Sequence, residues 1–178
     1  KGSKYEGGSR VPFIASWAKL DPTNGFQKKC PVATNCVQAQ IGTIMDIYPT
    51  VLSIAGVKFP KSHVLDGADL KRLFQGKVDD KHRDDFLLHF PHQHRSSYFT
   101  TYRKGDWKLI YNYNPELDGK PTYQLYNLAK DLFEENDVAN YETEILKRMC
   151  MLMITQLNID GALYPVDENG NTLYPQMP

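Results

Sequence analysis

The sequence predicts the end of an α/β domain followed by a small four-stranded antiparallel sheet with one helix packed on it. Three observations carry this. The first 80 residues hold one apolar strand-like run and one helix-like run, separated by loop-rich sequence. Between Phe86 and Leu128 four short segments rich in aromatic and β-branched residues alternate with turn residues. From Tyr141 to Leu157 apolar residues recur at helical spacing.

The elements follow in order. Lys1 to Gly8 is polar and Gly-rich and reads as a loop. Val11-Pro12-Phe13-Ile14-Ala15-Ser16-Trp17 is a continuous apolar run, expected to be a buried strand, with Pro12 near its start where a missing ladder donor costs least. Asp21 to Gln40 carries Pro22, Asn24-Gly25 and Pro31 and reads as loop. Asp46 is placed to cap a helix whose first turn holds Pro49 and whose apolar face is Ile47, Val51, Ile54 and Ala55, with Gly56 as its stop. A short helix is expected over Asp69 to Phe74, before Gly76. The charged stretch Lys77 to Asp85 marks a boundary, giving segments 1–80, 81–160 and a Pro/Gly/Asn-rich tail, 161–178.

The strands are expected at Phe86–Phe90, Ser97–Tyr102, Trp107–Tyr113 and Tyr123–Leu128, punctuated by Pro91, Lys104-Gly105-Asp106 and Asp118-Gly119. The short Gly-containing turn predicts a hairpin of the middle pair. In the last helix Ile145, Met149, Leu152, Met153 and Gln156 fall on one side, and Met149, Met151 and Met153 read as a core stripe.

Lys plus Arg equals Asp plus Glu at 21 each, without the cationic surplus a nucleic-acid backbone binder needs. No apolar run reaches the ~20 residues of a membrane-spanning helix. The chain opens on Lys1 rather than Met, which is read as the mark of a piece of a longer protein. For Cys30 and Cys36 a short-loop disulfide and two free thiols both stay open; Cys150, in an apolar helical run, reads as a small buried hydrophobe.

Three segments resemble the formylglycine-dependent sulfatases. Lys1-Gly2-Ser3-Lys4-Tyr5-Glu6-Gly7-Gly8-Ser9-Arg10-Val11-Pro12 is similar to the family's Lys-Gly-x-x-Tyr-Glu-Gly-Gly-x-Arg-x-Pro. Asp46-Ile47-Tyr48-Pro49-Thr50-Val51-Leu52, Ala55-Gly56 and Leu65-Asp66-Gly67 form the second. Tyr102-Arg103-Lys104-Gly105-Asp106-Trp107-Lys108-Leu109-Ile110, Leu125-Tyr126-Asn127-Leu128 and Glu135-Asn136 form the third. The resemblance implies an alkaline phosphatase-like α/β fold ending in a four-stranded antiparallel subdomain. It implies hydrolysis of sulfuric esters, arylsulfatase or glycosaminoglycan type, with a sulfated carbohydrate as substrate and a periplasmic, secreted or lysosome-like location.

The resemblance also implies a formylglycine nucleophile and a Ca²⁺ ion. None of the cysteines begins the Cys-x-Pro/Ala-x-Arg motif: Cys30 runs into Pro31-Val32-Ala33-Thr34, Cys36 into Val37-Gln38-Ala39-Gln40 and Cys150 into Met151-Leu152-Met153-Ile154. Nucleophile and metal ligands are therefore expected upstream, in an N-terminal part of the same protein, and this chain alone is expected to be inactive. The other readings are a phosphodiesterase or phosphonate hydrolase of the same superfold, and a non-catalytic module.

Lys1 aligns with a family lysine that contacts the sulfate, a role suited to a compact point charge. Glu6 and Arg10 are expected to pair and fix the loop, with Gly7 and Gly8 supplying positive φ. In His89-Phe90-Pro91-His92-Gln93-His94-Arg95, three histidines within six residues admit a metal site, though strand alternation scatters the rings, or a set of hydrogen-bonded surface imidazoles. The resemblance points to a third role, in which His92, His94 and Arg95 contact sugar hydroxyls or a carboxylate. Arg103, Lys104, Asp106 and Lys108 read as a solvated hairpin. Tyr98 and Tyr102 are candidate sugar-stacking rings.

Overall fold

The computed structural model describes residues 3–58, 62–94 and 97–178, and for Gln93, His94, Ser97 and Asp118 the backbone alone. The helices are α1 (Glu6–Ser9), α2 (Gly25–Lys29), α3 (Ile47–Ala55), α4 (Lys71–Phe74), α5 (Pro115–Asp118) and α6 (Thr143–Ile159); the strands are β1 (Asp85–His94), β2 (Ser97–Lys104), β3 (Trp107–Asn112) and β4 (Tyr123–Asn127). Two compact units are present: Lys1–Val11 with Asp85–Pro178, and Pro12–Asp84.

The first unit is the four-stranded antiparallel sheet, in the order β1-β2-β3-β4. Gly105, at φ 56°, closes the expected β2–β3 hairpin. The register aligns Phe90, Phe99 and Asn112 in one row, Leu88, Thr101, Ile110 and Gln124 in a second, and Phe86, Arg103, Lys108 and Tyr126 in a third. Because side chains alternate, these rows share one face, and the rows between them share the other.

That other face is the core. Tyr102, Leu109, Tyr111, Tyr113 and Leu125 meet Leu146, Met149, Cys150, Met153 and Leu157 of α6. The helix positions recur at three and four residues, the spacing of a single stripe. The buried stripe is rotated from the expected one: Leu146, Cys150 and Leu157 line its centre, whereas Met151 is 54% exposed. Met151 lies two residues from both Met149 and Met153, about 200° around the helix, so the three methionines cannot share a face. After α6 the segment 161–178 returns to the sheet. Gln176 N–H donates to Tyr111 Oη at 3.1 Å, Tyr123 Oη donates to Gln176 O at 3.1 Å, and Val166 pairs with Thr172.

The second unit is built around Asp46. It is fully buried, and its carboxylate accepts from Thr43 N (2.7 Å), Thr43 Oγ1 (2.9 Å) and Ala68 N (2.7 Å). Thr50 Oγ1 donates to Asp46 O at 2.6 Å and accepts from Leu70 N at 2.9 Å. Asp46 thus ties the 65–70 loop and the 3₁₀ turn Ile44–Asp46 to the start of α3, rather than capping α3 itself with its side chain. Pro49 lies in the first turn and Gly56, at φ 74°, closes the helix as expected. Val11–Trp17 is not a strand: it pairs with no described residue, and Val11, Phe13 and Ile14 are exposed. A strand needs a neighbour to satisfy its backbone, and an isolated extended run has none. Ile47 and Val51 of α3 are also exposed. Cys30 is buried, Cys36 exposed, and the two are not bonded.

Candidate functional site

The face of the sheet opposite α6 carries the N-terminal segment. Glu6–Ser9 forms one helical turn, with Gly8 N–H donating to Tyr5 O and Arg10 N–H to Glu6 O. Neither Gly7 nor Gly8 has positive φ. Gly8 is required for another reason: a Cβ there would lie 2.6 Å from Ser3 Cβ and 2.7 Å from Ser3 N and O, so the turn folds directly against the chain that precedes it.

Three side chains dock this segment. Lys4 Nζ donates to Asn112 Oδ1 at 2.6 Å. Tyr5 Oη donates to Gln124 Oε1 at 3.2 Å, and its ring meets Tyr126 edge-on with centroids 6.4 Å apart. Gln124 in turn donates to Tyr126 Oη at 2.7 Å. Glu6 Oε1 accepts from Lys108 Nζ at 2.9 Å, while its Oε2 faces Arg10 and Arg103, each at 3.8 Å. The expected Glu6–Arg10 pair is therefore one part of a larger cluster.

Lys108 is the unexpected member. Rather than lying on a solvated hairpin, its side chain is 2% exposed, with its ammonium 2.9 Å from Glu6 and 2.8 Å from Glu134 Oε1. Glu134 Oε1 is buried and accepts no hydrogen bond, so the Lys108 charge is what balances it. The other oxygen, Oε2, accepts from Glu6 N–H. Glu134 takes a left-handed backbone at φ 58°, which costs a non-glycine residue on the order of 1 kcal/mol. Burying a lone ammonium or carboxylate costs several kcal/mol, so each of the three charges depends on the others. No local pattern in the sequence announces this set: Lys108 and Glu6 are 102 residues apart, and Glu6 and Glu134 are 128 apart. The one available signal was alternation, which places Lys108 on the face of Ile110 and away from Leu109.

The histidines separate by alternation. His89 points to the helix side: its Nε2 faces Leu163 O at 2.7 Å and its Nδ1 faces Thr100 Oγ1 at 2.7 Å. A carbonyl only accepts, so Nε2 carries a proton and donates to Leu163 O. Thr100 Oγ1 lies 2.9 Å from Tyr113 Oη, whose pKa burial pushes well up. His89 thus ties the C-terminal segment to β1 and β2. His92 is exposed and its ring meets Phe90 at 5.4 Å. Phe90 stacks on Phe99 at 5.5 Å in the row that ends at Asn112, the partner of Lys4. His92 accordingly shares a face with the N-terminal segment, and His89 does not. Lys1 and Arg95 lie outside the described residues, as does the side chain of His94.

Tyr102 is buried with its hydroxyl on Asp85, and Tyr98 packs against the α6 core, so neither presents a sugar-stacking face. Among the described residues no three His, Cys, Asp or Glu side chains converge to hold a metal, and no helix is long and apolar enough to cross a membrane. A cleft of about 510 Å³ opens beside the docked segment, lined by Tyr5, Gly7, Lys120, Tyr126, Phe133 and Glu135 among others.

Comparison with known proteins places this arrangement. A sulfatase from Formosa agariphila is 32% identical over 150 residues, 78% of this chain and 24% of its own length. The N-acetylgalactosamine-6-sulfatase of Rattus norvegicus is 39% identical over 82 residues, 46% of this chain and 14% of its own. A structure solved in complex with its substrate D-glucosamine-2-N,6-O-disulfate superposes with a TM-score of 0.57 at 25% identity, covering 71% of this chain and 26% of that one. The chain spans about a quarter or less of the length of the curated relatives it matches. The family described as N-sulphoglucosamine sulphohydrolase, C-terminal, matches residues 1–159. With four antiparallel strands, a packed helix and the Tyr-Glu-Gly-Gly segment docked on the sheet, this chain belongs to the sulfatase family, in the part that family describes as C-terminal.

Proposed function

We propose that the protein removes sulfate from a sulfated carbohydrate, and that this chain supplies the side of the active site that grips the sulfate and the sugar. In this reading Lys1 faces the ester oxygen, where an ammonium stabilises charge as the S–O bond breaks. His92, His94 and Arg95 hold hydroxyls or a carboxylate of the sugar. Formylglycine and Ca²⁺ belong to the region of the protein upstream of Lys1. The exposed apolar residues of Val11–Trp17 and of α3 take that region as their packing partner.

The observation that carries the proposal is the direction of the docked segment. From Glu6 back to Lys4 it moves from the Lys108 row to the Asn112 row, towards the sheet end where β1 passes into β2. Lys1 stands three residues further upstream in sequence, and His92 occupies that same end and face. The names of the relatives support the substrate class: one acts on an N-acetylgalactosamine 6-sulfate and another was solved with a glucosamine disulfate.

The test uses the full-length protein with D-glucosamine-2-N,6-O-disulfate and N-acetylgalactosamine-6-sulfate as substrates. Lys1→Ala is expected to lower kcat about 100-fold, the size of a lost charge stabiliser. His92→Ala is expected to act mainly through KM. A wild-type protein that cleaves phosphodiesters with higher kcat/KM than either sulfate ester would overturn the reading.

A further inference from the structure

We propose that Lys108, with Glu6 and Glu134, is a positioning latch that holds the N-terminal segment on the sheet and so sets where Lys1 stands. The inference rests on the sulfatase reading for its catalytic consequence, though not for the latch itself.

The segment has little structure of its own. Its single helical turn is four residues long, too short to persist in water without contacts elsewhere. Its placement comes from side chains that reach the sheet, and these differ in kind. Lys4, itself buried, sets its ammonium on Asn112, and Tyr5 sets its hydroxyl on Gln124, an uncharged partner in each case. The Glu6 contact is a buried charge cluster held from three directions: the Glu6 carboxylate on the Lys108 ammonium, the Glu134 carboxylate on the same ammonium, and the Glu6 amide on Glu134. Backbone and side chain of one residue are thus both fixed, which leaves the segment neither rotation nor sliding as a cheap alternative.

The cluster also discriminates between docked and undocked states. If the segment lifts away, Glu6 regains water, but Lys108 and Glu134 stay in the sheet unit with half their partners gone. An incompletely paired buried charge is strongly unfavourable, so partial release is penalised and docking becomes close to all-or-none. Glu134 meets this demand from a left-handed backbone that a glutamate adopts only when its surroundings require it. Lys108 therefore acts on the reaction through the segment and does not touch the substrate.

The experiment measures hydrogen exchange and kinetics together, in the full-length protein. Lys108→Met removes the cation between the two carboxylates and leaves Glu6 only the more distant guanidiniums of Arg10 and Arg103, each at 3.8 Å. Exchange at the Glu6 amide is expected to rise about tenfold or more while the amides of α6 keep their protection. In the same variant kcat should fall about tenfold or more, with KM changing less, because the misplaced group acts in the transition state. The double variant Lys108→Met/Glu134→Gln removes the charge left facing Glu6 and keeps an acceptor for the Glu6 amide. It should recover part of both losses, which a simple packing defect at Lys108 would not do. Should Lys108→Met not fold, Glu134→Gln alone tests the same point and is expected to give a smaller rise in Glu6 exchange. Unchanged Glu6 exchange, or exchange that rises equally in α6, would overturn the latch. Released Glu6 exchange with unchanged kcat would overturn its catalytic role. A wild-type protein that liberates no sulfate would remove the sulfatase reading and leave the exchange result standing.

Discussion

At the scale of single residues, the chemistry of this chain is set by what surrounds each group. Gly8 is needed for space, since a methyl group there would strike the backbone of Ser3. Gly8→Ala is expected to push the Ser3–Arg10 segment off its seat and to speed exchange at Glu6, while Gly7→Ala, which meets nothing within 4 Å, should leave both unchanged. The cysteines divide in the same way. Burial raises the Cys150 thiol from 9.0 to about 12 and raises Cys30 as well, whereas Cys36 is exposed. A thiol titration at pH 8 should therefore count one fast thiol, with the other two appearing only on denaturation. A raised folded-state pKa stabilises the fold fully below the unfolded value and is lost as pH climbs through the folded one. Cys150 and Tyr123, the latter raised from 10.0 to about 12 mainly by burial, place that window between pH 9 and 12. Stability should decline across it, as urea unfolding at stepped pH would measure.

At the scale of elements, the four strands and the last helix were all legible, because their signals are local. Period-two aromatic and β-branched runs with Gly turns between them leave few alternatives. Which helix face is buried was less legible, since Met, Ile and Leu occur nearly all round α6 and only the facing sheet chooses among them. Met153 is fully buried and Met151 is 54% exposed. Met153→Ala is expected to cost about 2–5 kcal/mol, the range for large-to-small changes in a core, and Met151→Ala less than about 0.5 kcal/mol. Equilibrium urea unfolding measures both, and equal losses would mean that the stripe has been misplaced. The apolar run Val11–Trp17 misled as a strand because hydrophobicity announces burial, while strand structure requires a hydrogen-bonding neighbour. The Met45–Gly67 approach has the same character: a Cβ at Gly67 would lie 2.0 Å from Met45 O, a constraint that arises only when the 65–70 loop closes on Asp46.

At the scale of the whole molecule, the residues quoted from the three motif segments sufficed to reach the sulfatase family, and the match over residues 1–159 bears that out. Composition and charge limited the partners, and local pattern set the number, kind and order of the elements of the sheet unit. Tertiary structure alone decided that the Tyr-Glu-Gly-Gly segment packs on the sheet, that it takes the face of His92 and not that of His89, and that Lys108 is buried between Glu6 and Glu134. The physical reason is range. Turn chemistry and side-chain period act over a few residues and are written locally, whereas an ion cluster joining positions 6, 108 and 134 has no meaning until the chain has brought its distant parts together.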